Sequence, residues 1–257
     1  MVHGVLSVNI GEEYTRRLGK LVDTHKAYAD KWGYTHKLID SWTLDSCHLS
    51  FIRFDGVLKC FEEGNEWVLY IDSDAIVNNP DMPITYYVND CPEDKDIIMM
   101  REIPLGEHCG LFGVLNTGVF MIRNTEWSKN LMRDLIRIGK ECPNKCLTDQ
   151  DILNQIVGQN MWLMNKFHVH SWNRKYSING FMSFKAKTFH RDDFIIHFIS
   201  CVNNNPGLID KYIEILKNKP KAHTLKFESK HYHMHWSEVV NMMPVGADWP
   251  WHTFSEK

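Results

Sequence analysis

An α/β fold built on parallel strands is predicted by three observations in the first third of the chain. Short apolar, β-rich runs recur at Gly4–Ile10, Thr35–Asp40 and Trp67–Asp72. Between them lie two stretches with apolar residues at three- and four-residue spacing, and a glycine closes each. Consecutive parallel strands need a crossover that returns the chain to the same end of the sheet, and a helix is the usual one.

The elements follow in order. GVLSVNI reads as a buried first strand. Glu12 to Trp32 carries Tyr14, Leu18, Leu21, Val22, His25, Tyr28, Ala29 and Trp32 on one helical face, with Gly33 at the C-terminus. Phe51–Glu63, with Phe54, Val57, Leu58 and Phe61, forms a second helix closed by Gly64. WVLYID is the third strand. Asp96–Arg101 and Gly118–Arg123 read as further strands, and Glu126–Lys140 as a helix. Another helix follows Thr148-Asp149-Gln150-Asp151, with Thr148 or Asp149 as its cap. Ile195–Phe198 is a late strand and Leu208–Lys217 a short helix.

Composition narrows the class. The chain has 257 residues, 44% hydrophobic and 24% charged, enough to bury a core. Without a repeat, a low-complexity tract or a linker, residues 1–257 are expected to form one domain. A net charge of −3 argues against a general nucleic-acid binder, which needs a basic surplus. No run approaches the roughly 18 apolar residues of an integral membrane segment, and the N-terminus lacks the pattern of a signal peptide. Seven cysteines without regular spacing fit free thiols in a cytoplasmic location. Cys142 and Cys146 are the only close pair, and no second pair completes a zinc set.

The sharpest chemical feature is Asp72-Ser73-Asp74 at the end of the third strand, where ligands of open α/β sheets bind. Residues two apart on a strand share a side, so both carboxylates can face one ion. Hard oxygen donors suit Mn2+ or Mg2+ and leave room for phosphate. Walker, Gly-x-Gly-x-x-Gly, His-Glu-x-x-His and Gly-x-Ser-x-Gly motifs are missing. Aspartyl phosphatases also use Asp-x-Asp, but on the first strand and followed by Thr or Val, whereas Ala75-Ile76 follows here.

Three weaker signals accompany it. Asn116, Thr117 and Gly118 place small residues before a strand, where backbone can approach a ligand; an ordinary turn explains them as well. Asp149 and Gln150 offer a carboxylate and an amide at a helix start, although a simple cap would look the same. His197 lies in the apolar run IIHF. A lone histidine there is more often a core residue, yet an imidazole completes a Mn2+ set with two carboxylates.

Taken together, WVLYIDSDAIVNNP, LNTGVFMIRNTEW, DQDI and FIIHFISC resemble, in order and interval, glycosyltransferase family 34. That family includes fungal α-galactosyl- and α-mannosyltransferases and plant xyloglucan xylosyltransferases. The resemblance spans roughly residues 4–202. It implies a GT-A fold, an α/β domain with a mixed, mainly parallel central sheet flanked by helices. Residues 1–115 would then mainly bind nucleotide-sugar, and 116–257 would form the acceptor side and a C-terminal extension. Asp72, Asp74 and His197 would hold Mn2+ (or Mg2+) against the donor diphosphate. Ser73, Asn116, Thr117 and Gly118 would contact the donor, and Asp149 and Gln150 would flank the anomeric carbon.

The implied reaction is sugar transfer, with retention, from a nucleotide diphosphate to an oligosaccharide or glycoprotein hydroxyl. A UDP-sugar donor is favoured and GDP-mannose is second. A non-catalytic sugar-binding module and a metal-dependent nucleotide-sugar hydrolase are the rival readings. Two departures stand out. Thr148 replaces an extra acid of the plant members, and Val202-Asn203-Asn204-Asn205 follows where they carry a lysine that touches the diphosphate. Arg53 or Lys211 is a candidate substitute for that lysine. Family members are usually anchored in the Golgi by an N-terminal helix, and no such stretch occurs in this sequence.

The C-terminal third is aromatic. Trp162, Trp172, Tyr176, Trp236, Trp249 and Trp251 are flat surfaces of the kind that stack on sugars, although core filling is the commoner use. His231, His233 and His235 alternate as on a solvated edge strand.

Overall fold

The computed structural model describes residues 2–101, 115–142, 144, 147–170, 176–182, 187–188 and 192–199, together with the helical residues 207, 209, 210, 213 and 214. Strand β1 (His3–Val8), helix α1 (Glu12–Trp32), strand β2 (Thr35–Ile39), helix α2 (Ile52–Glu62) and strand β3 (Trp67–Asp72) alternate as expected. Both β2 and β3 pair parallel to β1. Strands β4 (Ala75–Val77) and β5 (Ile97–Arg101) follow, with helix α3 (Ile84–Val88) between them. Strand β6 (Leu115–Arg123) leads into α4 (Glu126–Glu141) and α5 (Asp149–Gln159). Four short strands come last: β7 (Phe167–His170), β8 (Gly180–Met182), β9 (Lys187–Thr188) and β10 (Ile195–His197).

The central sheet has the order β2-β1-β3-β6-β5-β7, and a second sheet the order β4-β10-β8-β9. In the central sheet β6 alone runs against its neighbours. Alternation along each strand divides the core between its two faces. Leu6, Val68, Tyr70, Met99 and Phe120 pack toward α2, α4 and α5. Val5, Leu69, Ile71, Ile98, Met121 and Val119 pack toward Tyr28 and Ala29 of α1 and toward the smaller sheet. Strand β3 is therefore buried on both sides, which explains its unbroken apolar sequence.

Local chemistry sets the helix ends. Gly33 adopts φ 68°, and the amide of Tyr34 donates to the carbonyl of Ala29, closing α1. Thr125 caps α4, its hydroxyl accepting from the amide of Ser128. The apolar face expected of α1 is narrower than its spacing suggests. Tyr14 and Trp32 are exposed, Tyr14 at the rim of a cleft and Trp32 stacked on Tyr34.

One expected boundary moves. Asn116, Thr117 and Gly118 lie inside β6, not in a turn before it. Sheet register shifts opposite them: Met99 pairs with Phe120, whereas Met100 pairs with Asn116. The bulge arises because Gln150 Oε1 takes the amide of Thr117 at 3.0 Å, and Asn116 Oδ1 takes that of Gly118 at 2.9 Å.

Candidate active site

Strand β3 ends at Asp72, and the chain turns at once into β4. Strand β10 runs antiparallel to β4 and sets His197 opposite Ala75. The Phe198 amide donates to the Asp74 carbonyl at 2.9 Å, fixing the turn against β10. From behind, His25 of α1 donates from Nε2 to the Ala75 carbonyl at 2.8 Å, and its Nδ1 lies 2.9 Å from the Ser7 hydroxyl. A turn held at both ends can present two acids in fixed positions.

The side chains converge. Nε2 of His197 lies 3.1 Å from Oδ1 of Asp74 and 4.0 Å from Oδ2 of Asp72. One donor atom from each of the three lies within 4.8 Å of the others. Adjacent ligands of an octahedral ion with bonds near 2.1 Å stand about 3 Å apart and opposite ones about 4 Å. Two carboxylates and one imidazole at that spacing fit a Mn2+ or Mg2+ ion. Gly118 of β6 forms the floor beneath Asp72 and His197, and a Cβ there would meet both.

Arg53 of α2 joins this cluster to the next. Its guanidinium lies 3.1 Å from Oδ1 of Asp72 and 3.3 Å from Oδ2 of Asp149. It also donates to the carbonyls of Thr117 at 2.7 Å and Ser50 at 3.0 Å, and it sits over the Tyr70 ring. Burial works against its charge, but Asp149, Asp72 and Asp74 more than offset this, so its pKa is raised. The Tyr70 hydroxyl donates to Oδ1 of Asp72, which leaves Oδ2 as the oxygen nearer His197. Burial raises the pKa of Asp72; Asp74 acts in the same direction, while Arg53 opposes it. A dication between the two acids would remove that repulsion.

The start of α5 carries the remaining candidates. Thr148 is the cap, in a reciprocal capping box with Asp151. Asp149 is thus released from capping, although it is 2% exposed and faces Arg53. Its Oδ2 has no hydrogen-bond partner among the described residues. Gln150 spends Oε1 on the Thr117 amide, and Asn116 accepts from Asn179 at 2.8 Å. Gln150, Asn116 and Thr117 therefore shape β6 around the site.

Asp72, Ser73 and Asp74 also line a cleft of about 240 Å³ with Val8, Ile10, Tyr14, His48, Ser50 and Arg53. Apolar groups at the end of β1 lie beside the acids at the end of β3, Val8 pairing with Asp72. The motifs gave no signal for Tyr70, Ser50, His25 or Tyr14, whose roles come from packing between elements. Lys211, Trp172, Trp236, Trp249, Trp251 and the three alternating histidines lie outside the described residues, as do Cys146 and the segment 202–205. Trp162 packs against the core.

Comparison with known proteins agrees with the motif reading. Residues 110–206 match the profile of the galactosyl transferase GMA12/MNN10 family; the span includes Asn116, Asp149 and His197 but not Asp72 or Asp74. The crystal structure of a glycosyltransferase involved in the glycosylation of the major capsid of PBCV-1 superposes with a TM-score of 0.62 at 22% identity, covering 84% of this chain and 100% of that one. Apo mouse xyloside xylosyltransferase 1 superposes with a TM-score of 0.50 at 11% identity, covering 78% and 98%. The fold is that of the GT-A glycosyltransferases. No curated protein matches the sequence. Among the described residues no helix is long and apolar enough to cross a membrane.

Proposed function

We propose that this chain, whose matched family and structural relatives are glycosyltransferases, moves a sugar from a nucleotide diphosphate to a glycan hydroxyl with retention of configuration. The observation that carries the reading is the convergence of Asp72, Asp74 and His197 at one end of the cleft, with Arg53 linking them to the buried Asp149.

The division of labour follows from position. Val8, Ile10 and Tyr14 offer the nucleoside an apolar wall with one exposed ring, and a uracil base suits its size. Asp72, Asp74 and His197 would hold Mn2+ or Mg2+, which when bound supplies positive charge to the departing diphosphate, a contribution of several kcal/mol. Ser73 lies between the acids on the donor side. Arg53 bridges Asp72 and Asp149 and stands between them. Its charge is already matched by these acids, so it is a positioning group and not the counterpart of the missing lysine.

Asp149 is buried, with Oδ2 3.3 Å from the Arg53 guanidinium. It stabilises positive charge developing on the sugar ring while the departing phosphate oxygen accepts the proton of the attacking hydroxyl. Asn116, Thr117 and Gly118 close the donor side through the β6 bulge.

The test is product analysis with UDP-sugars, GDP-mannose second, with and without glycan acceptors and Mn2+. Transfer is expected to need both acceptor and ion, and Asp74→Asn to lower it at least ~100-fold with the fold intact. Free sugar released equally without acceptor would instead indicate hydrolysis. Metal-independent binding without turnover would indicate a binding module.

A further inference from the structure

Strand β7 closes the central sheet at the edge away from β2, separated from β3 by β5 and β6. Its sequence Phe-His-Val-His sets His168 and His170 on one face, opposite Ile98 and Met100 of β5. Helix α3 ends at Val88, and Asp90 follows two residues later, so the chain brings a carboxylate to the two imidazoles. We propose that Asp90, His168 and His170 form a second metal site, selective for a zinc-class divalent ion, distinct from the Asp72, Asp74 and His197 cluster.

Three observations support it. One donor atom from each of these residues lies within 4.8 Å of the others, as in only one other cluster among the described residues. Oδ2 of Asp90 stands 3.5 Å from Nε2 of His168. That is long for a hydrogen bond, whereas two ligands on a tetrahedral ion with bonds of 2.0–2.1 Å are about 3.3 Å apart. The His168 Nε2 atom is buried and has no hydrogen-bond partner among the described residues.

Donor chemistry separates the two sites. Two imidazoles and one carboxylate suit Zn2+ or Co2+ and leave a fourth position for water, whereas two carboxylates and one imidazole suit Mn2+ or Mg2+. The rings of His168 and His170 meet edge to face, 4.6 Å between centroids and 87° apart, so one ion can reach a nitrogen of each. An ion there would tie the segment after α3 to strand β7.

The test uses the full chain carrying Asp74→Asn, which disables the first site. Titrated with Co2+, it is expected to take up one equivalent with the intense visible bands of tetrahedral cobalt, and Zn2+ should displace it. Adding His168→Gln, at a partly exposed position, should weaken Co2+ binding at least ~100-fold, and Asp90→Asn at least ~10-fold. In the chain without Asp74→Asn, His168→Gln should leave Mn2+ binding unchanged. No tetrahedral band in the Asp74→Asn chain, or a band that survives His168→Gln, overturns the proposal. Neither result bears on the transferase reading, which depends on the other cluster.

Discussion

Gly118 lies directly against His197: a Cβ at position 118 would stand 2.2 Å from Cε1 of the imidazole and 2.8 Å from Oδ2 of Asp72. Both neighbours are held, His197 by strand pairing and Asp72 by Tyr70 and Arg53. Gly118→Ala must therefore displace the proposed ligands. Overpacking of this kind costs about 1–3 kcal/mol. The variant is expected to stay folded by circular dichroism while its Mn2+ affinity falls at least ~10-fold, read by paramagnetic resonance of free Mn2+. Unchanged affinity would mean that His197 is no ligand.

Arg53 is the only residue that contacts both Asp72 and Asp149 through ion pairs among the described residues. Arg53→Met leaves the buried Asp149 and the partly buried Asp72 without their cation and is expected to destabilise the chain by about 3–5 kcal/mol. Arg53→Lys keeps the charge but cannot serve four acceptors from a planar fork. Its expected cost is smaller in stability and larger in turnover. Urea denaturation and kcat measured on both variants check this. Equal losses in the two would show that the retained charge makes no difference.

The order of elements and the Asp72-Ser73-Asp74 turn were legible because both rest on local pattern. WVLYID announces a strand buried on two faces, and Asp-Ser-Asp at its end lies where the fold opens. The motif reading of His197 needed the family resemblance, since an imidazole in an apolar strand is ordinary by itself. What pairs β10 with β4 is long-range, and no local feature of IIHF encodes it. The β6 bulge was missed for the same reason, because a side chain from α5 takes the Thr117 amide. Phe-His-Val-His did carry a readable signal. Alternation puts both imidazoles on one face, but the partner acid lies 78 positions earlier (168 minus 90) and is supplied only by the fold.

Thr148 stands where plant members of the family carry an acid, and here it caps α5 in a box with Asp151. Thr148→Ala removes the hydroxyl that accepts from the Asp151 amide at 3.3 Å. The expected loss is about 1 kcal/mol of stability. Because Asp149 begins the same turn, kcat should fall while the Mn2+ affinity of Asp72 and Asp74, on another element, does not. Thermal denaturation, steady-state kinetics and a Mn2+ titration separate these effects. A loss of Mn2+ affinity would show that the helix start and the metal cluster are coupled.

Acid should weaken the fold through His25. The ring is buried between Ser7 and the carbonyl of Ala75, and burial lowers its pKa from 6.5 to about 4, with the hydrogen bond to Ala75 opposing. Between those values the unfolded chain binds a proton that the folded chain does not, so stability rises with pH across this window. The contribution is fully present above 6.5, declines as pH falls, and levels off below about 4. Its full extent is on the order of 3 kcal/mol, at 1.36 kcal/mol for each tenfold change in proton affinity. His3 and His36 are lowered in the same direction by burial, so the test needs a comparator. In urea denaturation between pH 4.5 and 7.5, His25→Gln is expected to be less stable at the upper end and to lose about one proton's worth of slope. Because His25 also braces the residue after Asp74, the same variant should bind Mn2+ more weakly at pH 7.5. An unaltered slope would mean that the ring takes up its proton in the fold as readily as in the unfolded chain.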